Sequence, residues 1–537
     1  MGLKKQNTVE ASLSPISLKG SSAMLALVIS ACTVFPIERD SPYFTERYAT
    51  PVFFVGYNYI SERFIEKVDI GYLTVAGLEG LTSIDPQLEI TRDGDFVSLA
   101  VDNNFLHTVS APAAANTKAW ADLTVKIIEN GRLASTPLLE TQAEDIYSSI
   151  FQSMMTELDG FSRYAGAFEA HRDRYRRSGF GGIGVQILID GNKVHVVSVL
   201  PDTPAKEMGL QDNDRITHID DESVAGLTIH EVVERLRGEI GSHVTIIVER
   251  DSRDHFLSVT LSRRLIMDVT VTYKMIDDLG HIKITSFNKR TSKSLENTLA
   301  KIQPAIESRK IKGIILDLRS NPGGLLDQAI KVADLFLTKG QIVSTKGRHP
   351  DSNQNFSADK EGFAQNLPLA VLINGNTASA AEIVAAALQD QGRAVVIGTN
   401  SYGKGTVQNV IALPNNGELT LTWSRFHAPS GYTLNNLGVL PTICTSRETT
   451  GSTEKENANF TPRPKELHTG AIVSETALSK WRAEDLPSEK NIEELRAICP
   501  DPKKASDRDI TVAKQLLTEP ALYSRAMSLS FPAIANR

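Results

Sequence analysis

Between residues 280 and 445, short apolar runs alternate with segments of helical pattern, and this constrains the fold more than any other feature. Ile314-Ile-Leu-Asp-Leu318, Leu369-Ala-Val-Leu-Ile373 and Ala394-Val-Val-Ile-Gly398 are apolar at nearly every position. Successive side chains of a strand point to opposite faces, so such runs need a sheet covered on both sides. The segments Leu295 to Ile306, Leu325 to Phe336 and Ser379 to Leu388 carry helical spacing and can supply cover. An α/β layered core is the expectation.

The flanking regions read differently. Residues 57–82 place Ile60, Phe64, Val68, Leu73, Ala76 and Gly80 at helical spacing, and Trp120, Leu123, Ile127 and then Ile146, Ile150, Met154, Leu158 continue the pattern. Asp93-Gly94 between two apolar stretches signals a hairpin. The charged run His171 to Arg177 reads as a solvated helix end, and Gly179-Phe-Gly-Gly182 follows. Strand-like Val185 to Ile189 and Val194 to Val199, a helix over Ile229 to Leu236 and a strand over Val244 to Glu249 make a compact mixed module. The division expected is 1–31 an export signal, 32–170 mostly helical, 179–265 the mixed module, 266–445 the layered core and 446–537 a helical extension.

Composition excludes several classes. The chain has 537 residues, with 57 Lys plus Arg against 64 Asp plus Glu, a formal charge of −7. Nothing there suggests nucleic acid as a partner. With 41% apolar and 23% charged residues, wholesale disorder and polytopic membrane insertion are excluded. The cysteines are Cys32, Cys444 and Cys499, with no CxxC and no HExxH, so no metal site is expected. Whether Cys444 and Cys499 pair is not legible. Lys4, Lys5 and Lys19 precede the apolar stretch Ala23 to Ala31, which is too short to span a bilayer. Ile29-Ser30-Ala31-Cys32 resembles a bacterial lipobox, so export to the periplasm with Cys32 as a lipidated, membrane-anchoring N-terminus is expected; the alternative is a plain secretory signal.

Ser379 falls where an apolar strand gives way to a helix. A hydroxyl there sits at the positive helix end, beside backbone N–H groups able to hold an oxyanion. The competing reading is a capping box, because Ser379-x-x-Glu382 has that pattern. A serine needs a base, and Lys404 follows the next apolar strand; a lysine serves only when neutral, which burial favours. The competing reading is a surface loop lysine. Gly398 to Thr406 nearly spells a phosphate-binding loop, but Gly405 stands where the hydroxyl belongs and a strand pattern follows. Asp317-Leu-Arg-Ser-Asn-Pro-Gly323-Gly324 can offer an oxyanion N–H or be a plain turn. Gly181 to Val185 can form a nest for a carboxylate beside a strand edge open to a peptide, or be a hairpin loop.

Together these segments resemble the carboxyl-terminal processing peptidases, or tail-specific proteases. The resemblance runs from about 145 to 445 and rests on Gly182-Ile-Gly-Val185, Pro204 to Leu210, Asp317 to Gly324, Thr377-Ala-Ser-Ala-Ala-Glu-Ile383, Tyr402-Gly-Lys-Gly405 and Pro429-Ser-Gly431. It implies a crotonase/ClpP-like αβ protease core with an inserted PDZ domain, helical N- and C-terminal regions, and serine endopeptidase activity without cofactors. By resemblance Ser379 is the nucleophile, Lys404 the general base and Gln408 the group orienting it. Ala380 and either Gly323 or Gly324 give the oxyanion N–H groups, Glu382 and Asp390 support, and Gly182, Ile183, Gly184 and Val185 form the carboxylate loop. Substrates would be protein or peptide C-termini, with room for an adaptor or regulator and for a homo-oligomer. Ala381, Asn213-Asp214 and Leu440-Pro441-Thr442 depart from the usual pattern. The alternatives are a non-cutting PDZ scaffold lipoprotein and, more remotely, a crotonase-like acyl-CoA enzyme.

Overall fold

The computed structural model describes residues 44–102, 104–251, 256–359, 362–446, 470–483, 488–501 and 508–530. The expected export signal and Cys32 lie outside the described residues. The apolar runs form a seven-stranded sheet in the order Val271–Ile276, Leu279–Ile284, Gly313–Asp317, Leu369–Ile373, Val395–Gly398, Ile443–Cys444, Ala471–Ile472. The outermost pairs are antiparallel and the four inner pairs parallel. Alternate residues serve opposite faces, as strand geometry requires. Ile314, Leu316, Val371 and Val396 pack with helices Thr291–Glu307, Leu326–Asp334 and Ala380–Asp390. Ile315, Leu372, Val395 and Ile397 pack with Val512, Leu516, Leu522 and Ala526 of helices Arg508–Thr518 and Pro520–Ser530. The extension after 446 thus contributes both an edge strand and the second covering layer. Cys444 and Cys499 form a disulfide that ties it to the sheet.

A second sheet, Gln354–Ser357, Gln341–Lys346, Glu418–His427 and Thr406–Ala412, is joined by Arg163–Ala165. Its Ile411, Leu413, Leu419 and Leu421 complete the core of the N-terminal region, beside Trp120, Phe53 and Phe151. That region differs from the reading in two ways. The helical stretch at 57–82 is two helices, Glu46–Arg63 and Ile70–Glu79, the second capped by the Asp69 side chain accepting from Gly71 N at 2.7 Å. The hairpin at Asp93-Gly94 gains a third strand, Asn104–Ser110.

The middle module has a core of its own, around Val196, Ile216, Val232 and Ile246. Its sheet runs Leu257–Ser262, His243–Glu249, Arg215–Ile219, Lys193–Val199, Val185–Asp190, leaving Val185–Asp190 at one edge. The strands that lead in and out, Phe180–Gly182 and Arg264–Ile266, pair antiparallel and bring the two ends of the insertion together.

Candidate active site

Ser379 stands at the N-cap of Ala380–Asp390 with φ 55° and ψ −118°. Positive φ is costly for any residue with a Cβ and persists only where neighbours impose it. Here the loop after Gly313–Asp317 imposes it. Ala378 N–H donates to Asn321 O at 2.9 Å, the Thr377 hydroxyl donates to Leu318 O at 2.9 Å, and Asn374 Oδ1 accepts from Ser320 N–H at 2.9 Å. Gly323 lies so close that a Cβ on it would meet Ser379 Cβ at 2.8 Å and Ala380 N at 3.0 Å. Of the two glycine N–H groups left open by the sequence, that of Gly323 is used: it donates to Asn321 Oδ1 at 2.8 Å. Among the described residues, the N–H groups of Gly324 and Ala380 have no acceptor.

The hub of the site is Glu382. Its buried carboxylate accepts four hydrogen bonds: from Ser379 N–H at 2.6 Å, the Ser401 hydroxyl at 2.5 Å, Gly403 N–H at 2.7 Å and Lys404 N–H at 3.0 Å. Burial pushes its carboxyl above the usual range, and the four donors pull it back. Ser379 and Glu382 stand in a capping-box relation, but the bond with full hydrogen-bond geometry is the one from Ser379 N–H. One oxygen, Oε2, takes the backbone N–H of both Ser379 and Lys404, so the two residues lie within the span of two hydrogen bonds. Tyr402 N–H also donates to Thr377 O at 2.9 Å. The near-match to a phosphate loop is therefore filled from within: Gly403 and Lys404 N–H point at a carboxylate, and a strand follows at Thr406–Ala412.

Lys404 Nζ stands 5.5 Å from the centre of the Phe161 ring and makes no hydrogen bond to Ser379 in this arrangement. Burial lowers its pKa from the ordinary 10.5, and Arg163 acts the same way, while Asp159 and Glu382 oppose. The Gln408 amide donates to Thr406 Oγ1 at 2.7 Å and lies towards Thr422, with no bond to Lys404. Asp390 accepts from Ser430 N–H at 3.0 Å and faces Arg482, which fixes the 429–431 turn. A buried His–Asp pair does exist, His281 with Asp317 at 3.1 Å, but its further partner is Arg319 and not Ser379. Among the described residues no His, Cys, Asp and Glu cluster is arranged to hold a metal ion.

In the middle module a cavity of about 260 Å³ lies between the edge strand and helix Ile229–Leu236. Gly182, Ile183, Gly184 and Val185 line one end, with Ile229, Val233, Leu236 and Arg237 opposite. Gly184 has φ 87°, and a Cβ there would run into Thr203. Among the described residues, the N–H groups of Ile183 and Gly184 have no acceptor. Arg237 lies over the Phe180 ring at 4.2 Å and the Tyr175 ring at 4.4 Å.

Residues 278–445 match peptidase family S41, and residues 195–250 match the PDZ domain. The carboxy-terminal-processing protease of Bartonella bacilliformis is 40% identical over 301 residues, covering 56% of this chain and 69% of that protein. This chain belongs to peptidase family S41, the carboxy-terminal processing proteases. A Synechocystis carboxyl-terminal-processing protease is 31% identical over 306 residues, 56% of this chain and 70% of that one. CtpA of Bacillus subtilis is 32% identical over 307 residues, 57% of this chain and 65% of that one. The S41 match ends at 445, so the extension with Cys499 and the covering helices lies beyond it, as does Phe161 on the other side. Sequence reading expected a helical extension and left the Cys444–Cys499 pairing open; the extension's covering role and the place of Phe161 escaped it. So did Glu382 as a hub, although Ser379-x-x-Glu382 was its visible trace.

Proposed function

We propose that this S41 chain is a serine endopeptidase that takes the free C-terminal segment of a protein through its PDZ groove and cuts it with a Ser379–Lys404 dyad. The convergence of Ser379 N–H and Lys404 N–H on one Glu382 oxygen carries this reading. An extended peptide adds to the open edge of Val185–Asp190, its carboxylate met by the N–H groups of the 182–185 loop and its last side chain by Ile229 and Val233. The neutral Lys404 amine swings from Phe161 to Ser379, takes the hydroxyl proton as Oγ attacks the scissile carbonyl, and gives it to the leaving amine. Ala380 and Gly324 N–H, both unspent among the described residues, are the pair suited to the oxyanion, while Gly323 admits them by having no side chain. Water hydrolyses the acyl-enzyme. Gln408 reaches the amine only by leaving Thr406. No step calls for a metal or nucleotide.

The division proposed is that of the sequence reading: an export signal to 31, a helical region to 170, the PDZ insertion over 179–265, the protease core over 266–445 and the extension beyond. Pairing of Phe180–Gly182 with Arg264–Ile266 supports the insertion. Export to an oxidising compartment, the bacterial periplasm, with anchoring through Cys32, accords with the Cys444–Cys499 disulfide. Ser379→Ala and Lys404→Ala should each fold and lose cleavage of a polypeptide with an unstructured tail, and a fluorophosphonate should label Ser379 only in the parent protein. Turnover retained by either variant overturns the dyad.

A further inference from the structure

Residues 496–501 lie outside both family matches, yet they hold the turn that carries Lys404. Asn400 donates its backbone N–H to Cys499 O at 3.1 Å and its side-chain amide to Arg496 O at 2.7 Å. The Thr399 hydroxyl donates to Asp501 at 2.7 Å. The Arg496 guanidinium donates to Ser401 O at 2.9 Å and to Leu437 O at 2.7 Å. Two residues on, Val439 N–H donates at 2.7 Å to the Ser401 hydroxyl that itself donates to Glu382. The turn is thus gripped from inside by Glu382 and from outside by Arg496. The outer grip is fastened at its root, because Cys499 is bonded to Cys444, the partner of Gly398 in the ladder where the turn begins.

We propose that Arg496 is a positioning residue for the Ser379–Lys404 reaction, acting through Ser401, and that the Cys444–Cys499 disulfide keeps it in place, so that cleavage requires the oxidised extension. The inference rests on the peptidase reading above. The lysine stem is flexible and the amine must return to the serine in every turnover, so the backbone beneath it has to be fixed. Without the guanidinium, Ser401 O and Leu437 O lose that donor, and the outer grip is left to the bonds of Thr399 and Asn400, further from Lys404. Glu382 and Asp501 are the charged groups facing Arg496; Arg163, Asp159 and Glu382 are those facing Lys404.

The test uses the full chain, a labelled unstructured polypeptide with a free C-terminus, and fluorophosphonate to count active sites. Arg496→Gln should lower kcat at least about tenfold with little change in KM, the loss expected when a catalytic group is misplaced by a fraction of an ångström. The pH midpoint of kcat/KM should move upward as water reaches the amine, and Arg496→Lys should recover part of the rate. Dithiothreitol should slow the parent protein in the same way and leave the Cys444→Ser, Cys499→Ser double variant, already slow, unchanged. Arg496→Gln with parental kcat and pH profile overturns the inference, as does a lower melting temperature with unchanged kcat per labelled site. A parent protein that neither cleaves nor takes the label sinks the peptidase reading and this inference with it; a parent that cleaves beside an unaffected Arg496→Gln sinks this inference alone.

Discussion

Glu382→Gln changes the hub at almost constant volume and isolates what the carboxylate does. Its four partners all donate: Ser379 N–H, Lys404 N–H, Gly403 N–H and the Ser401 hydroxyl. A carboxylate accepts all four, whereas an amide has one accepting oxygen and an NH2 group that must face the other pair. With the oxygen towards Ser379 and Lys404, the NH2 meets Gly403 N–H and a Ser401 hydroxyl that already accepts from Val439. The opposite rotamer parts Ser379 and Lys404 from their common acceptor. Either way one or two buried donors go unsatisfied, at about 1–3 kcal/mol each. Burying a neutral amide in place of a charge returns part of that, leaving a net loss of about 1–3 kcal/mol. A chain of this size should then melt a few degrees lower, at roughly 2–4 °C per kcal/mol or less. Loosening of the Ser379–Lys404 geometry should cost about 10–100-fold in kcat, with KM and PDZ peptide affinity unchanged. Steady-state kinetics beside a thermal melt decide the matter. A variant with parental kcat and melting temperature would refute the hub.

Three further outcomes are expected. Gly323→Ala, at φ 99° and facing Ser379 Cβ and Ala380 N, should lose about 1–2 kcal/mol for the left-handed backbone and most of its activity for the intruding methyl, read by melting and by turnover. Because burial holds the Lys404 pKa below 10.5, kcat/KM should rise with pH to a plateau with its midpoint below that value; the unfolded chain binds the extra proton between the two pKa values, so this group favours folding more as pH rises through that window, and a flat profile up to pH 10 would contradict the lysine base. Val233→Asp places a charge in the PDZ groove and should raise KM for tail-bearing substrates with kcat unchanged, measured against binding of an isolated C-terminal peptide.

What was legible followed local pattern. The runs at 314–318, 369–373 and 394–398 form strands because nearly every position is apolar, and the helices between them keep their periodicity. Ser379 and Lys404 stand in motifs legible in the sequence, and the structure brings their backbones to one Glu382 oxygen. The rest depended on long-range partners. Glu382 looks like half of a capping box because three of its four donors come from the 401–404 turn, which no local spacing reveals. Phe161 reaches Lys404 across two sheets' worth of chain. Val512, Ala513, Leu516 and Leu517 have an amphipathic spacing, but nothing in it says that the bare face of the central sheet is what they cover. Gln408 shows the reverse: its motif position was clear, while its bond to Thr406 is a matter of side-chain rotation.

The layer formed by helices Arg508–Thr518 and Pro520–Ser530 has a consequence for folding. A chain lacking it would leave Ile315, Leu372, Val395, Ile397 and Ile443 facing water, with Leu372, Val395 and Ile397 on the strands that lead to Ser379 and Lys404. Those strands become a closed core only once helices Arg508–Thr518 and Pro520–Ser530 lie over them. The folded state of the peptidase core thus depends on a layer that lies beyond the S41 match.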